Sequence, residues 1–336
     1  MEKTKSKAQV KALALFSGGL DSSLAIKVIQ EQGIAVEAIT FLTPFYSARA
    51  GGFSLERAAQ QLGVPLTVVR LGLDYVRRVI RKPKYGYGRH MNPCIDCHIY
   101  MLKKAKQHAR RIGASFIITG EVLDERPMSQ HWKALKIVEE ESSLKGKLLR
   151  PLSAKLLPPT EPEKAGIVDR NRLLDIRGRS RKRQLALARA YGITEYQSPA
   201  GGCLLTYKEF SAKLRDLLEH KKRVSMADLE LLKVGRHFRL GKNKIIVGRN
   251  KEENEALLKL KGRNDYFFEA VGTGSPITLL QGPKTRQAIE KAAQLTAYYS
   301  DQKTGKVQVR YGRTKPEKTI TVERPNTQQI EQLRIK

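Results

Sequence analysis

The sequence predicts an α/β protein, a doubly wound parallel sheet followed by a smaller C-terminal α+β domain. Three observations lead there. Short apolar runs at residues 12–15, 36–41, 66–71 and 115–120 alternate with helical patterns over 24–29, 51–62 and 99–112. Strands separated by helices predict parallel βαβ units. The first run turns directly into a helix through Ser17-Gly18-Gly19. From Val234 onward the texture changes to short strands with turns, at 235–240, 244–250, 276–280, 306–311 and 319–322.

In chain order, the first informative element is Phe16-Ser17-Gly18-Gly19-Leu20-Asp21-Ser22-Ser23. A strand that turns into a helix here offers several backbone N–H groups to one anion, and the helix macrodipole adds positive potential. Two glycines let the backbone approach a phosphate closely. Ser17, Ser22 and Ser23 add hydroxyl donors, and Asp21 is placed to help hold Mg²⁺. The string lacks the Gly-Lys-Ser/Thr ending of a Walker loop. A plain Gly-Gly turn with a Ser/Asp cap is the competing reading. Ligands of doubly wound sheets bind at the carboxyl ends of the strands, where this string and Thr119-Gly120-Glu121 both lie.

SGGLDS resembles the PP-loop of the ATP pyrophosphatase family, which has an adenine nucleotide alpha hydrolase-like fold. The resemblance implies ATP split between its α- and β-phosphates, a carbonyl oxygen adenylated, and pyrophosphate released. The phosphates are then expected on Ser17, Gly18, Gly19, Asp21, Ser22 and Ser23. The adenine is expected near Thr40, Phe41 and Gly120, at the ends of strands two and four.

Three cysteines follow: Cys94 and Cys97 in Pro93-Cys94-Ile95-Asp96-Cys97-His98, and Cys203 after Pro199-Ala200-Gly201-Gly202. A Cys-x-x-Cys pair at a helix N-terminus is expected to have lowered thiol pKa values. Three uses compete. One is an Fe–S cluster held by three cysteines with one iron open. The second is sulfur relay through a persulfide and a disulfide. The third is zinc with His98 as fourth ligand, although His98 reads better as a helix-surface residue. An odd cysteine count gives no disulfide framework.

The order of PP-loop, Cys-x-x-Cys before strand four and a third cysteine about a hundred residues on is similar to that of tRNA thiolation enzymes, the tRNA-uridine 2-sulfurtransferases and tRNA 4-thiouridine synthases. PCIDC resembles the Pro-Cys-x-x-Cys element of the former. Thr119-Gly120 resembles their Thr-Gly-His element, with Glu121 in place of the His. Asp124 lies near where such enzymes carry an acidic residue beside the nucleotide. The resemblance implies that Cys94, Cys97 and Cys203 are metal-ligating and catalytic, with Asp21 and Asp124 as catalytic acids. It also implies ATP, Mg²⁺ and a [4Fe-4S] cluster as cofactors. The cluster is preferred to relay because no sulfurtransferase domain is expected in the chain and a three-cysteine set suits an open iron.

Among 336 residues, 63 are Lys or Arg and 33 are Asp or Glu, a formal charge of +30. Such an excess implies a polyanionic partner, since phosphate neutralisation releases counterions. Aromatic residues make up only 7%, which favours phosphate-led binding of folded RNA over base stacking along an extended strand. Arg170, Arg172, Arg177, Arg179, Arg181, Lys182 and Arg183 are expected to form a phosphate-contacting surface. The stretch VGRNKEENEAL is similar to the RNA-binding domain of NFACT-type proteins. The expected partners are tRNA and a sulfur donor, either sulfide or a persulfide carrier.

No apolar run approaches the roughly 20 residues that span a bilayer, and no secretory cleavage site follows the basic N-terminus. A cytoplasmic protein with no membrane partner is expected. The sequence leaves the oligomeric state open, a homodimer included. The expected domains are 1–205 for ATP binding and the cysteine site, 206–233 as a helical connector, 234–325 as the basic RNA-binding module and 326–336 as a tail. ATP-dependent tRNA thiolation is the expected function. The alternatives are another PP-loop adenylating RNA-modification enzyme, of amidation or lysidine type, and a non-catalytic RNA-binding protein.

Overall fold

The computed structural model describes residues 10–47, 53–197 and 202–336. They form two compact units that divide at Leu204/Leu205.

The first unit runs β1 (Lys11–Leu15), α1 (Leu20–Gln30), β2 (Ala35–Leu42), α2 (Leu55–Gln61), β3 (Leu66–Arg70) and α3 (Leu73–Tyr75), which continues into a π-helical turn at Val76–Ile80. Then come α4 (Cys94–Ile112), β4 (Phe116–Thr119), α5 (Trp132–Glu141), β5 (Leu148–Leu149), α6 (Glu161–Lys164) and α7 (Lys182–Ala190). The sheet order is β3-β2-β1-β4-β5, and every pairing is parallel. The expected doubly wound sheet is present.

Strand β1 is apolar throughout because both of its faces are covered. Ala12, Ala14, Leu24, Ile26 and Ala58 pack on one side of the sheet. Leu13, Ile99, Leu102 and Ile117 pack on the other. The strand order reverses between β1 and β4, the kind of switch point at which open α/β sheets bind ligands. Helix α2 covers part of the expected 51–62 helix, whose Gly51 and Gly52 lie outside the described residues. Sequence patterning missed α5, whose Ala134, Leu135 and Val138 bury against the α4 side.

The second unit contains α8 (Lys208–His220), α9 (Met226–Leu231), β6 (Arg236–Leu240), β7 (Asn243–Val247), α10 (Lys251–Leu260), β8 (Tyr266–Ala270), β9 (Thr278–Gln281), α11 (Arg286–Tyr299), β10 (Lys306–Gly312), β11 (Lys318–Glu323) and α12 (Thr327–Glu331). Its six strands are ordered β11-β10-β8-β9-β7-β6, and all pairings are antiparallel. Helix α11 lays Ala288, Ala292 and Leu295 on one face, against Phe238, Ile245, Phe268 and Leu280. Leu231 and Leu257 cover Ile246, Phe267 and Leu279 on the other. Strand β8 was not among the expected strands.

Two expectations change here. Residues 206–233 are integral to the second unit rather than a connector. Asp216 on α8 receives a forked pair of hydrogen bonds from Arg239, at 2.7 and 2.6 Å, and Lys244 Nζ lies 3.2 Å away. A buried carboxylate with two cations cannot be peeled away cheaply. Residues 326–336 are likewise no loose tail. Asn326 caps α12, Ile330 is buried and Leu333 packs on the same core.

Candidate nucleotide and thiol site

The SGGLDS loop is built as a tight cradle. Gly18 has φ +73°, the left-handed region, and a side chain there would meet the Phe53 ring at 2.6 Å. Gly19 caps α1 without any side-chain hydrogen bond to the free N–H groups. Ser22 Oγ donates to the Gly19 carbonyl at 2.8 Å, and Ser23 Oγ does so at 3.2 Å. The Ser17 and Ser22 hydroxyls lie 3.2 Å apart. The helix therefore opens with unsatisfied donors, which is what an anion needs.

Asp21 sits in the first turn of α1. Burial pushes its carboxyl above the usual range, and Arg181, Arg126 and Gln184 pull it back. Gly120 has a different reason to be glycine. A Cβ there would stand 2.4 Å from the Ser22 nitrogen, so β4 can end against α1 only without a side chain. Thr40 is buried, and its hydroxyl donates to the Phe16 carbonyl at 2.6 Å, tying β2 to the loop entrance. Phe41 packs on the α4 side of the sheet. Asp124 has φ +62° and accepts from Arg177 Nε at 2.7 Å.

Four of the six arginines in the basic segment have partners within the chain. Arg170 bonds Glu163, Arg172 bonds the Glu31 carbonyl, Arg177 bonds Asp124 and Arg183 bonds Asp175. These four guanidinium groups found carboxylates or carbonyls that charge counting alone could not locate.

The three thiols converge on one residue that sequence reading missed, Tyr75. Its hydroxyl donates to Cys97 Sγ at 3.1 Å. Cys94, Cys97 and Cys203 all act on that hydroxyl, which burial first and the thiols next hold far above its ordinary pKa. Tyr75 is buried and packs on Phe45 and Tyr100. Asn92 Nδ2 donates to Cys94 Sγ at 3.3 Å. Cys203 is brought in by pairing with Tyr46, just past β2, and the Ser47 N–H donates to the Gly202 carbonyl at 2.8 Å. Residues 198–201, part of the expected glycine approach, lie outside the described residues.

The same segment touches the phosphate loop. The Gln197 N–H donates to the Gly18 carbonyl at 2.7 Å. Cys203 is six residues further on, so even a fully extended chain places it within about 22 Å of Gln197.

None of the three cysteines is in a disulfide. Burial pushes the Cys97 thiol up to about 12, against the Tyr75 hydrogen bond, and the other two thiols push it further. The lowered value expected from the helix N-terminus is therefore wrong for Cys97, because desolvation outweighs the dipole. Iodoacetamide at pH 8 should accordingly label Cys97 of the folded, metal-free protein on the order of 10³-fold more slowly than in urea, read by peptide mass spectrometry. Equal rates in the two conditions would contradict this placement.

No group of three or more His, Cys, Asp or Glu among the described residues is disposed to hold a metal ion. The donor chemistry is that of iron–sulfur ligation, three thiols of which none is in a disulfide, with Tyr75 donating to Cys97 and Asn92 to Cys94.

His98 is also more than a surface residue. Its Nδ1 lies 2.9 Å from Glu121 Oε1. Glu121 is buried and also accepts from Thr119 Oγ1 at 3.0 Å and Arg150 Nε at 3.0 Å. Arg150 continues to Glu139 at 3.2 Å. Burial alone would raise the Glu121 carboxyl, but Arg150 and His98 hold it near about 2. The network ties the cysteine helix α4 to the end of β4.

The fold is that of a PP-loop nucleotide domain, and comparison with known proteins specifies the kind. Residues 7–155 match the family described as thiamine biosynthesis protein (ThiI), and residues 235–334 match the NFACT protein RNA binding domain. The tRNA-specific 2-thiouridylase of Clostridium acetobutylicum is 36% identical over 122 residues, 31% of this chain and 33% of the relative. That of Chloroflexus aggregans is 28% identical over 164 residues, 44% of this chain and 46% of the relative. A 4-thiouridine synthetase–RNA complex with bound ATP aligns over 67% of this chain and 52% of that one, at 20% identity and a TM-score of 0.38. The chain thus spans about a third to a half of the curated relatives it matches. It joins a thiouridylase-like PP-loop domain to an NFACT-type RNA-binding module. Cys203 and α7 fall between the two family matches.

Among the described residues, no helix is long and apolar enough to cross a membrane.

Proposed function

We propose that this chain is an ATP-dependent tRNA thiolation enzyme. The observation that carries the reading is that Cys94, Cys97 and Cys203, none in a disulfide, all act on Tyr75, while Gln197, six residues before Cys203, bonds the PP-loop at Gly18. ATP binds with its phosphates on Ser17, Gly18, Gly19, Asp21, Ser22 and Ser23, together with Mg²⁺. Its adenine lies at the ends of β2 and β4. Thr40 and Gly120 shape that wall from behind, and backbone groups near Phe41 face the base. A uridine flipped out of the tRNA stack presents its carbonyl oxygen to the α-phosphorus. The oxygen–phosphorus bond forms, the bond to the β-phosphate oxygen breaks, and pyrophosphate leaves. Backbone N–H groups of the loop and the α1 dipole stabilise the charge developing on pyrophosphate. Hydrosulfide then attacks the adenylated carbon, and AMP leaves with the former carbonyl oxygen.

Cys94, Cys97 and Cys203 would hold a [4Fe-4S] cluster, which when bound supplies an iron with an open position for exogenous sulfide. Tyr75 and Asn92 donate to the sulfurs and fix their orientation. Asp124, held by Arg177, keeps an acidic group on the loop that follows β4. The second unit, with exposed Lys306, Arg310 and Lys318 on its outer strands, contributes phosphate contacts to tRNA. Amidation and lysidine-type reactions also use SGGxDS but have no use for three thiols.

Nucleoside mass spectrometry of total tRNA from a strain lacking the gene tests the reading. Loss of one thiolated uridine is expected, restored by the wild-type gene. An unchanged set of thiolated nucleosides would contradict it.

A further inference from the structure

Polar atoms left unpartnered inside a protein are costly and therefore rare, and a cluster of them needs a reason. The first turn of α1 is surrounded by them. Asp21 Oδ1, Glu125 Oε2, Arg181 Nε and both amide atoms of Gln184 are buried without a hydrogen-bond partner. Gln184 is fully buried, at 0% exposure, and its amide stands beside the Asp21 carboxylate. Arg181 Nη2 is 4.0 Å from Asp21 Oδ2, longer than a hydrogen bond.

Both residues belong to the N-terminal end of α7. Arg181 is its cap position and makes no side-chain cap hydrogen bond. Gln184 follows in the first turn. Leu187 and Ala188 of α7 pack in the same core cluster as Leu24 and Val28 of α1. Two helix N-terminal ends, α1 at Gly19 and α7 at Arg181, thus come together at Asp21, neither capped by its own N-cap side chain.

We propose that Arg181 and Gln184 form the second wall of the nucleotide site, clamping the pyrophosphate half of ATP against the SGGLDS loop. The inference rests on the ATP-binding reading above and adds residues to it that neither the loop motif nor the family matches reach. Arg181 exchanges its long contact with Asp21 for a charge-assisted bond to a phosphate oxygen. The Gln184 amide nitrogen donates to a second one. Asp21 and Glu125 repel each other and would repel a polyphosphate alone. A divalent cation between the carboxylates and the phosphates removes both conflicts.

Calorimetric titration of the full chain with Mg·ATP, magnesium pyrophosphate and AMP tests this, on wild type, Arg181→Ala and Gln184→Glu. Gln184→Glu preserves shape in case a smaller side chain there unsettles the core, and thermal unfolding verifies both folds. Both variants should lose about tenfold or more in affinity for ATP and pyrophosphate, with AMP affinity held within about twofold. Folded variants that bind pyrophosphate as well as wild type overturn the assignment to α7, as does an equal loss for AMP. Wild-type protein that binds none of the three ligands overturns the ATP reading itself, and this inference with it.

Discussion

Replacing Cys203 with Ser should reduce tRNA thiolation to below about one hundredth of wild type while ATP affinity stays within about twofold. The hydroxyl is nearly isosteric, so the pairing of this segment with Tyr46 survives. What is lost is the third sulfur beside Tyr75. In the proposed reading phosphate binding falls to residues 17–23 and backbone donors, none of which is a thiol. The split between chemistry and nucleotide binding is the signature to look for. Cys94→Ser and Cys97→Ser should behave alike, because three ligands act as a unit and removing any one of them removes the site. Full activity in Cys203→Ser would move the chain to the adenylating enzymes that need no sulfur centre. Co-purified iron and the visible spectrum of anaerobically prepared protein give an independent readout. The wild type should carry a brown chromophore that all three variants lose.

The second large effect falls on stability. Glu121 is buried with Arg150, whose side chain is 4% exposed, and with His98 and Thr119. Truncation to Ala removes the buried carboxylate from Arg150 Nε and from His98, leaving the guanidinium only Glu139 and the Leu135 carbonyl, and should cost about 3 kcal/mol. For a unit of this size that lowers the unfolding midpoint on the order of 10 °C. Glu121→Gln should cost less, since an amide still accepts from Arg150. The pH dependence has a fixed sign. The folded carboxyl is held near about 2, below its ordinary 4.5. The folded state therefore binds fewer protons in that interval than the unfolded state does. The contribution is complete above about pH 4.5 and disappears as pH falls through about 2. Wild type should lose stability over this window more steeply than Glu121→Gln. Parallel curves would contradict the buried pairing.

Much of the first unit was legible because parallel strands buried on both faces read as unbroken apolar runs. Strands β1 to β4 lie where those runs are, and SGGLDS sits at the turn after β1. The two-residue β5 and the mixed helix α5 carry too little pattern to show. Side-chain chemistry was less legible than position. Spacing placed Cys94 and Cys97 at a helix start, but the acidity of Cys97 depends on burial and on Tyr75, twenty-two residues upstream of it. Glu121 stood out as a departure from a family motif. Its partners His98 and Arg150 come from other elements and became visible only when folding joined them. Gly120 was read only as lying near the adenine, and its close approach to the backbone of α1 became visible only in the folded chain. The basic segment looked uniform by charge, but most of its guanidinium groups answer local carboxylates and carbonyls.

The central claim is that one pocket splits a nucleotide in order to put sulfur on an RNA base. Purified protein, anaerobic and iron-loaded, should be incubated with tRNA, sulfide and α-labelled ATP. AMP should form only when tRNA is present, and each AMP should be matched by one thiolated uridine up to the limit of a single modified site per tRNA. AMP released at the same rate without tRNA, or formed with tRNA while no nucleoside gains sulfur, would contradict the account.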